Sequence, residues 1–189
     1  MITGSAAASL PVSVFEGSGG RMFKINDVIV YGKSGICRVE KIGPIALPMA
    51  DKNRMYYTLR PVYESQAVIY APVDNEKTVM RLTMSKEEAD QLIEEIPDLK
   101  TAWIGNEKDR EARYRSALSA CDCRELIRMI KGLYQKRALR VRDGKKVTVV
   151  DERYFKLAQT QLYSELAYAL GIDKAQVTSY IEEKLQVAE

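Results

Sequence analysis

The chain has 189 residues, with 29 lysines and arginines against 26 acidic residues, so it is near-neutral (net +3) and long enough for one sizeable core or two small ones. It contains no histidine, which removes the commonest general base and the commonest metal ligand, and its three cysteines include no second clustered pair to complete a zinc site. No apolar run approaches the roughly 20 residues needed to span a bilayer, and no Gly-rich phosphate loop follows a strand.

Residues 1–21 are rich in Gly, Ser and Ala and lack the basic and apolar regions of a secretory signal. They read as a disordered extension, native or left by cloning, with Met22 as the structural start. An odd cysteine count without such a signal predicts a reducing, cytoplasmic setting. From residue 22 to 83, strand signals dominate. Val28, Val30, Ile36, Val39 and Ile42 supply β-branched positions, and Gly32-Lys33-Ser34-Gly35 supplies turn chemistry between Asp27–Tyr31 and Ile36–Ile42. Three further strands are predicted at Met55–Val62, Ala67–Ala71 and Val79–Leu82, with a Pro- and Gly-punctuated loop over 43–53 and a hairpin turn at Glu64-Ser65-Gln66. Five short strands in about sixty residues fit a small antiparallel barrel of SH3-like or Tudor-like size.

Beyond residue 83 the apolar period changes from two to 3.6. Ser85-Lys86-Glu87-Glu88 is a capping box opening a helix with Ala89, Leu92, Ile93 and Ile96 on one face, ended by Pro97. A linker containing Trp103 follows, and then a helix over Glu107–Ala120. The next helix, Cys123–Leu139, carries Leu126, Ile127, Ile130, Leu133 and Tyr134 as its apolar stripe, with Asp122 and Glu125 as capping box. Cys121 and Cys123 then merely flank a helix start; a thiol of lowered pKa at that N-terminus is the sharper alternative. A helix over Glu152–Leu170 aligns Phe155, Ala158, Leu162, Leu166 and Ala169, with Gly171 as its C-cap. The last helix opens at Asp173-Lys174-Ala175-Gln176 and carries Val177, Ile181 and Leu185. The predicted class is therefore α+β: a barrel over 22–83, a helix and linker over 84–106, and an all-helical domain over 107–189.

Charge separates the two halves. Between Glu107 and Lys146 thirteen lysines and arginines face six acidic residues, a local net of +7 inside a chain of net +3. Such a segment is the electrostatic footprint of a phosphate-backbone binder, and a merely solvated basic face is the bland alternative. Its nucleic-acid candidates are Arg110, Arg113, Arg124, Arg128, Lys131, Lys136, Arg137, Arg140, Lys145 and Lys146. An enzyme would have to work with carboxylates alone, for example Asp74 with Glu76, and nothing in the sequence places a third group beside them.

Phe23-Lys24, the Asp27–Tyr31 stretch, Gly35 before a second strand, Tyr70-Ala71-Pro72-Val73-Asp74-Asn75 and Arg113-Tyr114 together resemble the CarD family of bacterial transcription regulators, over roughly Met22 to Leu185. The same barrel occurs in transcription–repair coupling factors. The resemblance implies that the barrel docks on the RNA polymerase β subunit by extending a sheet, which needs an exposed strand edge. Ile69, Tyr70 and Pro72 mark the best edge. Actinobacterial members carry arginines in and near the matching strands where this chain has Tyr70 and Ile45, and Arg38, Arg54 and Arg60 are the basic residues nearby. The resemblance further implies that the helical domain meets promoter DNA at the upstream edge of the bubble, with Trp103 as a minor-groove wedge. Trp103 lies eleven residues before Tyr114, farther than in known members, and an anchor between barrel and bundle is its other reading. The implied function is non-enzymatic stabilisation of the open promoter complex, without metal, cofactor, small-molecule substrate or membrane. A protein–protein interaction module that does not touch DNA is the alternative.

Overall fold

The alternation of side chains in β1 (Val28–Tyr31) decides which way the molecule is built. Val28 and Val30 point to one face of the sheet and Ile29 to the other, and all three are buried, so both faces need cover. The structure, a computed structural model, describes residues 22–48, 51–64, 66–101 and 109–187. A 3-10 turn over Gly32–Ser34 joins β1 to β2 (Ile36–Gly43), and β3 (Tyr56–Pro61), β4 (Ile69–Pro72) and β5 (Met80–Leu82) follow. Gly32 is required at that turn: its φ is +46°, and an added Cβ would lie 2.5 Å from the Thr78 methyl.

All pairings are antiparallel, in the order β4-β3-β2-β1-β5. Five antiparallel strands agree with expectation; a closed barrel does not. The two edge strands have four and three residues, too short to meet around the core, so the sheet stays open. Its inner face buries Phe23, Ile29, Cys37, Val39, Tyr57, Leu59 and Ala71. Phe23 packs edge-on against Tyr57 with ring centroids 5.7 Å apart, and its N–H donates to the Tyr57 hydroxyl at 3.2 Å.

Every regular element after Ser85, among the described residues, is helical: α1 (Lys86–Glu94), α2 (Arg110–Ala120), α3 (Cys123–Arg142), α4 (Val149–Leu170) and α5 (Val177–Val187). The expected caps at Ser85 and Gly171 are formed, the glycine at φ +67°. The Asp173–Gln176 box closes over a 3-10 turn before α5. At α3 Asp122 accepts from the N–H groups of Arg124 and Glu125, while Glu125 pairs with Arg128. α4 starts three residues earlier than predicted because the Thr148 hydroxyl accepts the Asp151 N–H at 3.2 Å. Leu126, Ile127, Leu133, Leu162, Leu166 and Val177 form the centre of the helical core. No helix of the described residues is long and apolar enough to cross a membrane. The extension expected over 1–21 and the linker residue Trp103 lie outside the described residues.

Sheet and helices join on the sheet's second face. Val28, Val30 and Ile36 bury against Cys121 at the left-handed end of α2, flanked by Val62 and Tyr168. Burying three such side chains contributes several kcal/mol at about 1.5–3 kcal/mol each.

Candidate functional site

The helices cover only the β1–β5 half of that second face. Register places Arg38 opposite Val28 and Arg60, and Thr58 opposite both Lys41 and Tyr70, so Arg38, Lys41, Thr58, Arg60 and Tyr70 share the uncovered half. A bulge between Val39 and Lys41 inserts Glu40, whose carboxylate grips the Arg60 guanidinium. That hydrogen bond holds Glu40 below the usual carboxylate range and Arg60 above its ordinary value. Arg38 is exposed and makes no ion pair among the described residues. Arg54 lies off this face, paired with Asp74 at 2.8 Å, which accounts for one member of the carboxylate pair.

β4 borders this surface and is an edge, as predicted. Val73 N–H donates to Met55 C=O at 3.0 Å, so by antiparallel alternation Ala71 and Ile69 also turn their backbone groups inward to β3. Tyr70 and Val68 therefore turn theirs outward, whereas Pro72 has no N–H and its carbonyl already accepts from Asn75 N–H at 3.1 Å. Tyr70, 41% exposed, lies on the open face, whereas Ile69 packs against the inner core. Of the three edge residues named from sequence, Tyr70 turns its backbone groups outward, Pro72 ends the edge, and Ile69 supports them from behind.

The basic segment of the helical half is less free than its charge suggests. Lys131 donates its ammonium to the carbonyls of Ile96 (2.7 Å), Pro97 (3.1 Å) and Leu99 (2.6 Å), closing the turn after α1. Arg124 makes a bidentate pair with Glu95 at 2.8 and 3.0 Å and holds that carboxyl below its usual range. Arg128 pairs with Glu125 at 2.8 Å. Lys136 at 3.0 Å and Arg110 at 3.8 Å flank the buried carboxylate of Asp151, which also accepts from the Tyr114 hydroxyl at 3.1 Å. Burial works to raise the Asp151 pKa, but the Thr148 hydrogen bond and the two cations outweigh it, and the net shift is downward. Arg113 is exposed on α2. Arg137 reaches Glu152 only at 4.0 Å, and Arg140 donates to the Lys146 carbonyl at 2.8 Å. Lys145 is 63% exposed and Arg142 is 74% exposed. The outward cations are thus concentrated at the far end of α3 and in the following turn.

Sequence reading also missed the polar tie between the halves. Arg81, on β5, donates Nη1 and Nη2 to Glu165 of α4 at 2.5 and 2.7 Å, and Nε and Nη2 to the Cys121 carbonyl at 3.1 and 2.7 Å. Glu165 is 3% exposed and also accepts from Met84 N–H at 3.1 Å and the Cys123 thiol at 3.3 Å. Burial disfavours the guanidinium charge, but the carboxylate prevails and the Arg81 pKa rises. The visible signal was a single acid in the apolar run Leu162–Leu170. All three cysteines are buried free thiols. Burial pushes Cys37 up to about 11 and raises Cys121 and Cys123, the opposite of an activated thiol at a helix N-terminus.

No curated protein matches the chain. A family model does: residues 23–83, the open sheet from Phe23 to the strand following the β4 edge, match the CarD-like/TRCF RID domain. That module is a protein-interaction domain rather than a known catalytic one. Its boundaries coincide with the sheet just described, and the chain therefore carries, over residues 23–83, a CarD-like RNA polymerase-interaction domain.

Proposed function

We propose that this protein is a non-enzymatic transcription regulator that grips the RNA polymerase β subunit by adding a strand to β4 and holds promoter DNA with its helical half, prolonging the open complex. Residues 22–83 serve the polymerase and residues 107–189 the DNA. The observation that carries the polymerase half is the unpaired β4 edge inside the matched domain, bordered by Tyr70 and the Arg38–Arg60 surface. The DNA half is supported by the net +7 of residues 107–146 and by the outward cations near Arg142 and Lys145.

Capture of core polymerase, and of its isolated β subunit, by the purified protein tests the first half. Tyr70→Pro removes the outward N–H of the edge without touching the β3 ladder, and should reduce capture more than ten-fold while the melt is nearly kept. Undiminished capture would exclude docking through this edge. Promoter DNA binding should fall with salt with a slope of about −0.9 per phosphate contact, and Arg142→Ala with Lys145→Ala should flatten it by roughly one or two units. Polymerase capture combined with salt-independent or absent DNA binding would identify a protein-interaction module instead.

A further inference from the structure

Tyr134 is not where the apolar period of α3 assigns it. That period groups it with Leu126, Ile127, Ile130 and Leu133, yet it is 65% exposed and makes no hydrogen bond or ring contact among the described residues. The cause is length. α3 runs for 20 residues, about 30 Å, and its last buried residue is Leu133; beyond it Lys136 ties the helix to Asp151 of α4 and Arg140 to the Lys146 carbonyl, and the opposite side is left as an exposed arm. One face of that arm carries Tyr134, Arg137, Ala138, Val141 and Arg142 at i, i+3, i+4, i+7 and i+8. Val141 is 62% exposed and Arg142 74% exposed. From Tyr134 to Lys146 six cations face a single acid, Asp143, which lies only within 3.6–3.7 Å of Arg142 and Lys145.

A lone exposed aromatic needs no explanation. An aromatic and a valine on the outer face of an arm this cationic do, because an apolar protein partner would have to bury those charges unpaired, whereas nucleic acid supplies a phosphate for each. Tyr134 and Arg142 are about 12 Å apart along the axis, a span of three to four phosphates at 3.4 Å per strand. We infer that the free end of α3 is a nucleic-acid contact in which Tyr134 packs against an unstacked base while Arg137, Arg142 and Lys145 hold the neighbouring phosphates. The ring needs a base face, which closed duplex does not offer, so the contact selects partly opened DNA.

The inference rests on the DNA half of the proposed function, and one titration separates their failures. Fluorescence anisotropy is followed with the full chain on two labelled DNAs of equal length, one fully paired and one with a short unpaired stretch. Tyr134→Ala should weaken binding to the opened DNA roughly ten-fold, within the usual worth of a stacked base, and to the closed duplex less than two-fold. Its salt slope and melting temperature should be unchanged, and Tyr134→Phe should bind like the parent. Equal affinity of Tyr134→Ala and parent for the opened DNA, an equal loss on both DNAs, or a melt lowered by more than a few degrees overturns the assignment. Failure of the parent to bind either DNA overturns the DNA half of the function itself.

Discussion

Arg81 and Glu165 make an asymmetric pair, and the asymmetry can be measured. Arg81→Ala strands a carboxylate that is 3% exposed with only the Met84 N–H and the Cys123 thiol for company. Breaking a buried pair from one side costs about 3–5 kcal/mol, but the Arg81 side chain is 34% exposed, so the lower part of that range, about 3 kcal/mol, is expected. Glu165→Gln keeps an acceptor for Met84 and leaves Arg81 its bonds to the Cys121 carbonyl, so about 1–2 kcal/mol is expected. The melting temperature followed by circular dichroism should then fall by roughly 6–12 °C for Arg81→Ala and roughly 2–8 °C for Glu165→Gln, at about 2–4 °C per kcal/mol for a chain of this size. Equal costs for the two substitutions would refute the reasoning.

Lys131→Met should lower stability by about 1–2 kcal/mol through loss of the carbonyl bonds after α1 while leaving the salt slope of DNA binding unchanged; a flattened slope with an unchanged melt would mark it as a phosphate contact. Asp151→Asn should destabilise the fold at neutral pH by about 2–3 kcal/mol, because Lys136 and Arg110 lose their shared anion. Since the folded Asp151 pKa is depressed, that contribution is present above the unfolded value near 4 and is lost as pH falls through the folded one, so the gap between parent and variant should close in acid. With all three thiols buried and raised, alkylation at pH 8 should follow global unfolding; rapid modification of Cys123 in the folded protein would contradict its hydrogen bond to Glu165.

Period and caps carried most of the secondary structure. Ser85, Asp122 and Gly171 announced three helix ends, and the Gly32–Gly35 turn announced the first hairpin, because these are local hydrogen-bonding and φ requirements written in single residues. Sheet closure was not legible, since it depends on whether β4 and β5 can reach each other, a matter of strand length and twist rather than pattern. Nor could the basic face be sorted. Lys131 and Arg142 are alike in sequence, yet one is spent on the turn after α1 and the other is left exposed at the helix end. Tyr134 was misplaced because helical period identifies a stripe without saying how far along the helix the neighbours extend.

The two edges of the sheet differ in what they can still join. β5 is three residues long, and the outward carbonyl of Leu82 already accepts from the Arg81 side chain at 3.1 Å. β4 is the longer of the two, and its outward run is short as well: Tyr70 turns both backbone groups out, while Pro72 has no N–H and its carbonyl already accepts from Asn75 N–H at 3.1 Å. An edge this brief and interrupted suits one short strand rather than a long ladder, and two copies joined through β4 would have sealed the edge that each needs for a partner.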